Sequence, residues 1–272
     1  MFMKEVIKLY RLFNLLSLDV AVGAIVGSLF FAKIYGVVPS YPSLISLGLT
    51  VWIIYTADRL LDILDMNGEA ASERHRFHQR NQKKLTYWLM VVMIINVVLI
   101  FFMPRIVIIH GIILLLVVVI YIVMRKRLHS SKELLVAVLY TSGVVLPSWP
   151  ENQLSPAQYL PLLLFFINAL INLILFAWYE KENDVKDRQN SVATLVDEAT
   201  IRYLLIGMFV IAFSVSFYMF FQPIYHFMSL VFIAITTILV LLFSYKRFFA
   251  KNDYYRVVGD AVFLFPIIYL LA

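Results

Sequence analysis

Long apolar stretches separated by short polar segments run along almost the whole chain. Each stretch has about the 20 residues that an α-helix needs to cross a bilayer, where lipid offers the backbone no hydrogen-bond partner. The pattern therefore predicts an all-α polytopic membrane protein with nine transmembrane helices and acidic loops on the cytosolic side. The nine predicted spans lie at about residues 14–36, 42–62, 85–103, 106–124, 133–149, 158–180, 201–221, 225–245 and 255–272.

The composition agrees with a membrane protein and excludes other classes. Hydrophobic residues make up 62% of the chain and charged residues only 15%, whereas soluble domains have about 45–50% and 25%. A soluble enzyme and a disordered chain are therefore excluded. The chain has no cysteine, which excludes disulfides, a cysteine nucleophile and thiolate metal sites. The formal net charge of +6 indicates basic cytosolic loops, and we expect no nucleic-acid partner.

The distribution of Lys and Arg predicts the orientation. If the N-terminus is cytosolic, 21 of the 23 Lys and Arg residues lie on the inner side, and only Lys33 and Arg105 lie outside. This asymmetry follows the positive-inside rule. We expect an integral protein of the plasma membrane with a cytosolic N-terminus and an outer C-terminus. We expect one transmembrane domain, residues 1–272, with two pseudo-repeated four-helix halves (about 1–130 and 131–250) and a ninth helix.

Two groups of carboxylates stand at the inner ends of the second and sixth spans. The first acidic ladder is Asp58, Asp62 and Asp65, and the second acidic ladder is Glu180, Asp184 and Asp187. Both have the spacing i, i+4, i+7, which places each ladder on one face of a helix. Five residues extend these faces deeper into the membrane: Val51, Ile54, Tyr55, Asn172 and Phe176.

Neighbouring carboxylates at the edge of a membrane favour a bound cation. Like charges one helical turn apart repel, and low dielectric increases the repulsion. A hard divalent cation relieves it, and Mg²⁺ takes oxygen ligands and completes its shell with substrate phosphates. The six ladder residues are therefore the candidate Mg²⁺ ligands. The alternative is that they are ordinary charges facing the cytosol.

These residues resemble the motifs of the UbiA-type superfamily of intramembrane prenyltransferases. That family has nine transmembrane helices and two aspartate-rich motifs at the cytosolic ends of helices 2 and 6. Its first motif, Asn-x-x-x-Asp-x-x-x-Asp, matches Asp58 and Asp62, with Ile54 at the Asn position. Its second motif, Asp-x-x-x-Asp, resembles Glu180-x-x-x-Asp184.

Two further parts of the chain bear on the resemblance. In a second register, Asn183 and Asp187 match the second motif, with Ser191 at the position of a following Gly and Thr194-Leu195 matching a Thr-Leu pair. The Tyr and basic pair that follow helix 4 in the family resemble Tyr121, Arg125 and Lys126.

The resemblance implies Mg²⁺-dependent transfer of an isoprenyl group from an allylic isoprenyl diphosphate to a lipophilic or aromatic acceptor in the membrane. Asp58, Asp62, Glu180 and Asp184 would be the catalytic residues. The candidates for binding the diphosphate are Arg59, Arg76, Arg125, Lys126, Lys181 and Arg188. The candidates for the substrate pocket are Asn14, Asp19, Ile54, Tyr55, Tyr121, Asn172 and Phe176.

Some polar residues have two interpretations. Asp19 and Asp260 fall inside predicted spans, where ionisable groups usually face the bundle interior. They either line the acceptor site, or they pair with basic residues or stay protonated for packing. His75 and His78 lie among arginines, and we expect them in an interfacial basic loop rather than in a Zn²⁺ site.

Two other functions remain as alternatives. One is a family member that binds isoprenoid lipid without turnover, since both motifs depart from the family pattern. The other is a proton-coupled carrier that uses Asp19, Asp260 and the ladders. Carriers usually place their ligand sites near the bilayer midplane, whereas these carboxylates cluster at one surface. The pattern favours the enzyme.

Overall fold

All of the regular secondary structure in the part of the chain that the structure describes is helical. The computed structural model covers residues 2–64, 66, 68–124, 131–187 and 191–272, with the backbone alone at 2–4 and 6–8. No β-strand occurs among these residues. The α-helices are α1 Phe2–Leu15, α2 Leu18–Tyr35, α3 Tyr41–Leu64, α4 Glu73–Ile100, α5 Arg105–Met124, α6 Lys132–Val145, α7 Tyr159–Lys186, α8 Val192–Leu195, α9 Glu198–Phe220, α10 His226–Ser244, α11 Lys246–Phe249, α12 Tyr254–Ala261 and α13 Ile267–Leu271.

Eight helical segments among the described residues are long and apolar enough to cross a membrane. They include α2, α3, α4, α5, α7, α9, α10 and the segment Lys251–Leu271, which contains α12 and α13. The predicted all-α membrane fold is confirmed, but the predicted count of nine is not. The span predicted at 133–149 corresponds to α6, which has only 14 residues and continues into a 3-10 turn at Leu146–Ser148. At 1.5 Å per residue, α6 spans about 21 Å, less than the hydrocarbon core of about 30 Å.

The first predicted span, 14–36, corresponds to α2, which begins at Leu18 and follows a separate helix, α1. The chain breaks at Ser17, whose φ of 54° is left-handed, so α1 ends at Leu15 and α2 begins at Leu18. A left-handed residue cannot continue a right-handed helix. The break brings α1 across the end of the bundle, where it contacts α2 and α12.

The helices α2 and α7 form the centre of the bundle. In each of them 61% of the 18-residue apolar stretch is buried inside the protein, whereas the buried share is 6% in α4 and 17% in α5. Large apolar side chains on α4 and α5, such as Ile94 and Leu116, remain exposed. In a membrane protein such surfaces face lipid. The central helix α7 packs against α6, α9 and α10, and this packing determines where its polar end lies.

The polar segment before the third predicted span is helical, not a loop. Helix α4 begins at Glu73, and the hydroxyl of Ser72 caps it by accepting from the backbone N–H of His75 at 3.2 Å. Ser is a preferred N-cap residue because it satisfies one of the first free N–H groups. One face of this extension, with Arg74, His75 and His78, is buried. The expectation of an interfacial basic loop was therefore wrong for both histidines.

Candidate functional site

Both acidic ladders reach one cavity, which lies between α3, α6, α7 and α12. Its volume is about 160 Å³, and Asp58 and Asp62 of the first ladder line it from α3, while Glu180 and Asp184 of the second ladder line it from α7. Its charged lining residues are Asp58, Arg59, Asp62, Lys132, Glu133, Glu180, Asp184 and Arg256. His75 and Ser191 also line it, and its apolar wall consists of Ile54, Tyr55, Tyr121, Val136, Leu173, Phe176 and Ala177. The cavity thus has both charged and aromatic walls.

The charged lining is acidic overall. The described lining residues include five carboxylates and three Lys or Arg side chains, so their formal net charge is −2 with His75 neutral. Such a site attracts cations, and an anionic head group gains by entering together with them. The cavity therefore has the electrostatics of a site for a cation and an anion together.

The first ladder contributes Asp58 and Asp62 to this cavity. The Asp58 Oδ1 atom is buried and has no hydrogen-bond partner among the described residues. Asp62 is buried too, and it faces His75 across 3.8 Å. Because a buried carboxylate oxygen without a partner is costly, Asp58 is suited to binding a cation. The third member, Asp65, lies outside the described residues.

The three carboxylates of the second ladder have different surroundings. Glu180 forms an ion pair with Arg256 and accepts a hydrogen bond from the Tyr255 hydroxyl at 2.6 Å. Asp184 lines the cavity. The Oδ1 atom of Asp187 accepts from the backbone N–H of Ala71 at 3.1 Å. Of the two motif registers, Glu180 and Asp184 therefore line the cavity, while Asn183 and Asp187 do not.

Arg256 is a cavity residue that the sequence analysis did not select. It is buried, and its guanidinium carbon lies 5.5 Å from the centre of the Phe176 ring. The ring of Tyr255 stacks on Tyr179 with centres 4.3 Å apart. These contacts hold the last part of the chain against α7. The sequence does contain a signal for this residue, because Arg256 falls inside a predicted span, where charged side chains usually face the bundle interior.

The start of α6 adds two further residues that the sequence analysis missed. Lys132 and Glu133 both line the cavity. One carboxylate oxygen of Glu133 accepts from the backbone N–H of Val192 at 2.9 Å, while its other oxygen is buried without a hydrogen-bond partner in the described part of the chain. Glu133 thereby ties the segment after the second ladder to α6.

The diphosphate-binding candidates have different positions. Arg59 lines the cavity. Arg76 instead donates to the backbone oxygens of Ala70 and Ala71, at 3.0 and 2.7 Å. Lys181 donates to the backbone oxygen of Val196 at 3.2 Å. Arg125, Lys126 and Arg188 lie outside the described residues.

The pocket candidates also divide into two groups. Ile54, Tyr55, Tyr121 and Phe176 line the cavity. Asn172 is buried behind it, against Gly259. Asn14 and Asp19 belong to a separate buried cluster, described next.

A polar cluster lies where α1, α2, α4 and α12 meet. The Asn14 amide donates to Asp19 and, at 3.0 Å, to Asp260. The Arg74 guanidinium pairs with Asp260 at 3.4 Å. All four residues are buried, and none of them lines the cavity. Of the two interpretations of Asp260, the structure supports the pairing with a basic residue.

The carboxylates do not by themselves form a complete metal cage. Within the described ranges, no three His, Cys, Asp or Glu side chains are already arranged to hold a metal ion. Mg²⁺ usually has only one or two carboxylate ligands and takes the others from water and substrate phosphates. The buried Asp58 oxygen and the oxygen-rich lining fit that mode of binding.

Comparison with known proteins identifies the fold. No family model and no curated protein sequence matches the chain. It is similar to the structure of a UbiA homolog from Archaeoglobus fulgidus bound to DMAPP and Mg²⁺, with a TM-score of 0.63 and 12% identity over 96% of this chain and 99% of that one. It is also similar to a digeranylgeranylglyceryl phosphate synthase structure, with a TM-score of 0.55 and 16% identity over 97% and 98%. The chain therefore has the UbiA-type fold of these two structures.

Proposed function

We propose that the protein transfers an isoprenyl group from an allylic isoprenyl diphosphate to a lipophilic or aromatic acceptor within the membrane, with Mg²⁺ as the cofactor. One observation carries this proposal: carboxylates of both ladders, more than 100 residues apart in sequence, line one acidic cavity that also has aromatic walls. The similar UbiA homolog, whose structure contains DMAPP and Mg²⁺, supports it.

We assign the cation to Asp58, Asp62 and Asp184. These carboxylates line the cavity, whereas Glu180 is already paired with Arg256 and Asp187 lies outside the lining. When bound, Mg²⁺ supplies positive charge that stabilises the departing pyrophosphate. Glu180 then has the role of holding Arg256 at the cavity wall.

The protein's own cations share in binding the anion. Arg59 and Lys132 line the cavity, and each can donate hydrogen bonds to phosphate oxygens. Breaking the C–O bond of the allylic ester moves an electron pair onto the diphosphate oxygen. Donors fixed before the reaction stabilise that charge as it develops, which is the main source of rate in such sites.

The aromatic wall suits the allylic fragment. Loss of the diphosphate leaves a delocalised carbocation, which the faces of aromatic rings stabilise and which water would destroy. Tyr55, Tyr121 and Phe176 line the cavity. The carbocation then bonds to a nucleophilic atom of the acceptor, which loses a proton. We place the diphosphate end at the cytosolic face, in line with the positive-inside distribution.

The proposal is tested by pyrophosphate release. The purified protein in nanodiscs is given DMAPP or geranyl diphosphate with Mg²⁺, together with a set of lipophilic and aromatic acceptors. We expect release in the wild type and at least a 100-fold loss in Asp62→Ala, since removal of one charge-stabilising group costs about 10²–10³ in rate. The matched control is Glu182→Gln, because Glu182 is an exposed carboxylate on α7.

Each other outcome has a defined meaning. Equal release by the wild type and Asp62→Ala contradicts the assignment of the site. Tight binding of the diphosphate without release of pyrophosphate contradicts the enzyme and supports the alternative of an isoprenoid-binding protein without turnover.

A further inference from the structure

His75 is buried at the point where the two ladders approach each other. The residue is only 7% exposed, and it lines the cavity. Its Nε2 atom lies 3.8 Å from Asp62 Oδ2, and its Nδ1 atom lies 3.6 Å from Asp187 Oδ2. Neither ring nitrogen has a hydrogen-bond partner among the described residues. A buried imidazole without partners is costly, so its position calls for a ligand.

The two distances suggest different roles for the two nitrogens. Both exceed the 2.7–3.2 Å of a normal N–H···O hydrogen bond. Bonds from a divalent cation to nitrogen and to oxygen are each about 2.0–2.2 Å. An N···O separation of 3.8 Å, as between His75 and Asp62, therefore leaves room for a cation bound to both atoms with a bent angle between the two bonds.

Asp187 is positioned to orient the ring. Its Oδ1 atom is held by the backbone N–H of Ala71, and its Oδ2 atom faces the Nδ1 side of His75. Histidines that bind metals usually donate the N–H of the other ring nitrogen to a carboxylate, which selects the tautomer. A shift of a few tenths of an ångström brings this pair into hydrogen-bond distance. The backbone of His75 is held as well, because its N–H donates to the Ser72 hydroxyl that caps α4.

We propose that His75 Nε2 is a nitrogen ligand of the divalent cation bound by Asp62, with Asp187 as the carboxylate that orients the imidazole. This inference rests on the proposed function for the presence of a cation. It adds nitrogen to a site otherwise composed of oxygen ligands. Mg²⁺ takes oxygen ligands, whereas divalent ions of the first transition series also bind imidazole nitrogen. The site then binds Mn²⁺ more tightly than Mg²⁺, and His75 accounts for the difference.

The test is pulsed electron paramagnetic resonance of Mn²⁺ bound to the full-length protein in nanodiscs, with geranyl diphosphate present. We expect modulation from a directly bound ¹⁴N nucleus in the wild type, and its replacement by a ¹⁵N pattern when the histidines are ¹⁵N-labelled. His75→Gln removes the signal. The matched control, His78→Gln, keeps it, because His78 Nδ1 already lies 2.9 Å from the backbone oxygen of Arg74.

Affinity measurements provide a second readout. We expect Mn²⁺ to bind at least tenfold more weakly to His75→Gln than to the wild type, while Mg²⁺ affinity changes less. Asp187→Asn weakens Mn²⁺ binding about tenfold, which is typical for loss of a carboxylate that orients a ligand.

The outcomes separate this inference from the proposed function. Mn²⁺ binding without a nitrogen signal in the wild type overturns the inference alone, as does a signal that persists in His75→Gln. A wild type that binds no Mn²⁺ with the diphosphate present overturns both. If His75→Gln does not fold, the labelled wild type still shows whether a histidine binds the cation, and a signal that persists in His78→Gln excludes His78 as that ligand.

Discussion

Replacing Gly259 by alanine should disturb both the packing of α12 on α7 and the wall of the cavity. A Cβ atom at this position would lie 2.6 Å from Asn172 Oδ1 and 2.6 Å from Phe176 Cε1. Ordinary contacts of a Cβ atom begin at 3.4 Å, so the methyl group is about 0.8 Å too close to two buried side chains. Overpacking of this kind costs about 1–3 kcal/mol.

A matched control separates this cost from helix propensity. Gly143 lies within α6, and a Cβ atom there meets nothing within 4 Å. Alanine in place of glycine stabilises a helix by about 0.5–1 kcal/mol at either position. The difference in unfolding free energy between Gly143→Ala and Gly259→Ala therefore isolates the overpacking, and we expect about 1–3 kcal/mol.

Denaturant titration in detergent micelles, followed by tryptophan fluorescence, measures both variants. We expect Gly143→Ala to match or exceed the wild type and Gly259→Ala to unfold earlier. Because Phe176 lines the cavity, Gly259→Ala should also bind geranyl diphosphate more weakly. Equal stability of the two variants would refute the close packing of α12 on α7.

The remaining predictions concern charge in the cavity. Glu180→Gln leaves the buried Arg256 without its carboxylate, and we expect a loss of about 3–5 kcal/mol in unfolding free energy. The control variant Glu182→Gln should keep the stability of the wild type. A Glu180→Gln variant as stable as the wild type would show that the ion pair contributes little. Removal of divalent cations with EDTA should stop pyrophosphate release, and added Mg²⁺ should restore it. Release that continues in EDTA would exclude a metal requirement.

The ladder spacing was sufficient to find four of the five carboxylates that line the cavity among the described residues. The i, i+4 pairs Asp58 and Asp62, and Glu180 and Asp184, each lie on one helix face, and both faces line the same cavity. Helical periodicity determines which residues share a face. The roles of these residues as metal ligands and catalytic groups remain predictions.

The sequence pattern did not identify the partners that come from other helices. Three such residues reach the cavity from other helices: His75 from α4, Lys132 from α6 and Arg256 from α12. Their positions depend on how helices pack, which local periodicity does not encode. The interpretation of His75 was wrong because a run of charged residues was taken for a loop, although the Ser72 cap starts a helix there.

The lengths of the apolar stretches predicted the membrane fold well, but they predicted the ends of the helices less well. The membrane fold follows from stretches of about 20 apolar residues. The break at Ser17 and the short helix α6 depend instead on tertiary contacts. Asn14 and Asp260 illustrate the same limit, since their hydrogen bond joins residues 246 positions apart.

The most direct measurement is an experimental structure of the protein with Mg²⁺ and geranyl diphosphate. The account predicts a diphosphate between α3 and α7, with Asp62 and Asp184 bound to cations that contact the same diphosphate, and with the geranyl chain against Tyr55 and Phe176. A diphosphate bound elsewhere, or two ladders that contact no common ligand, would contradict the central claim.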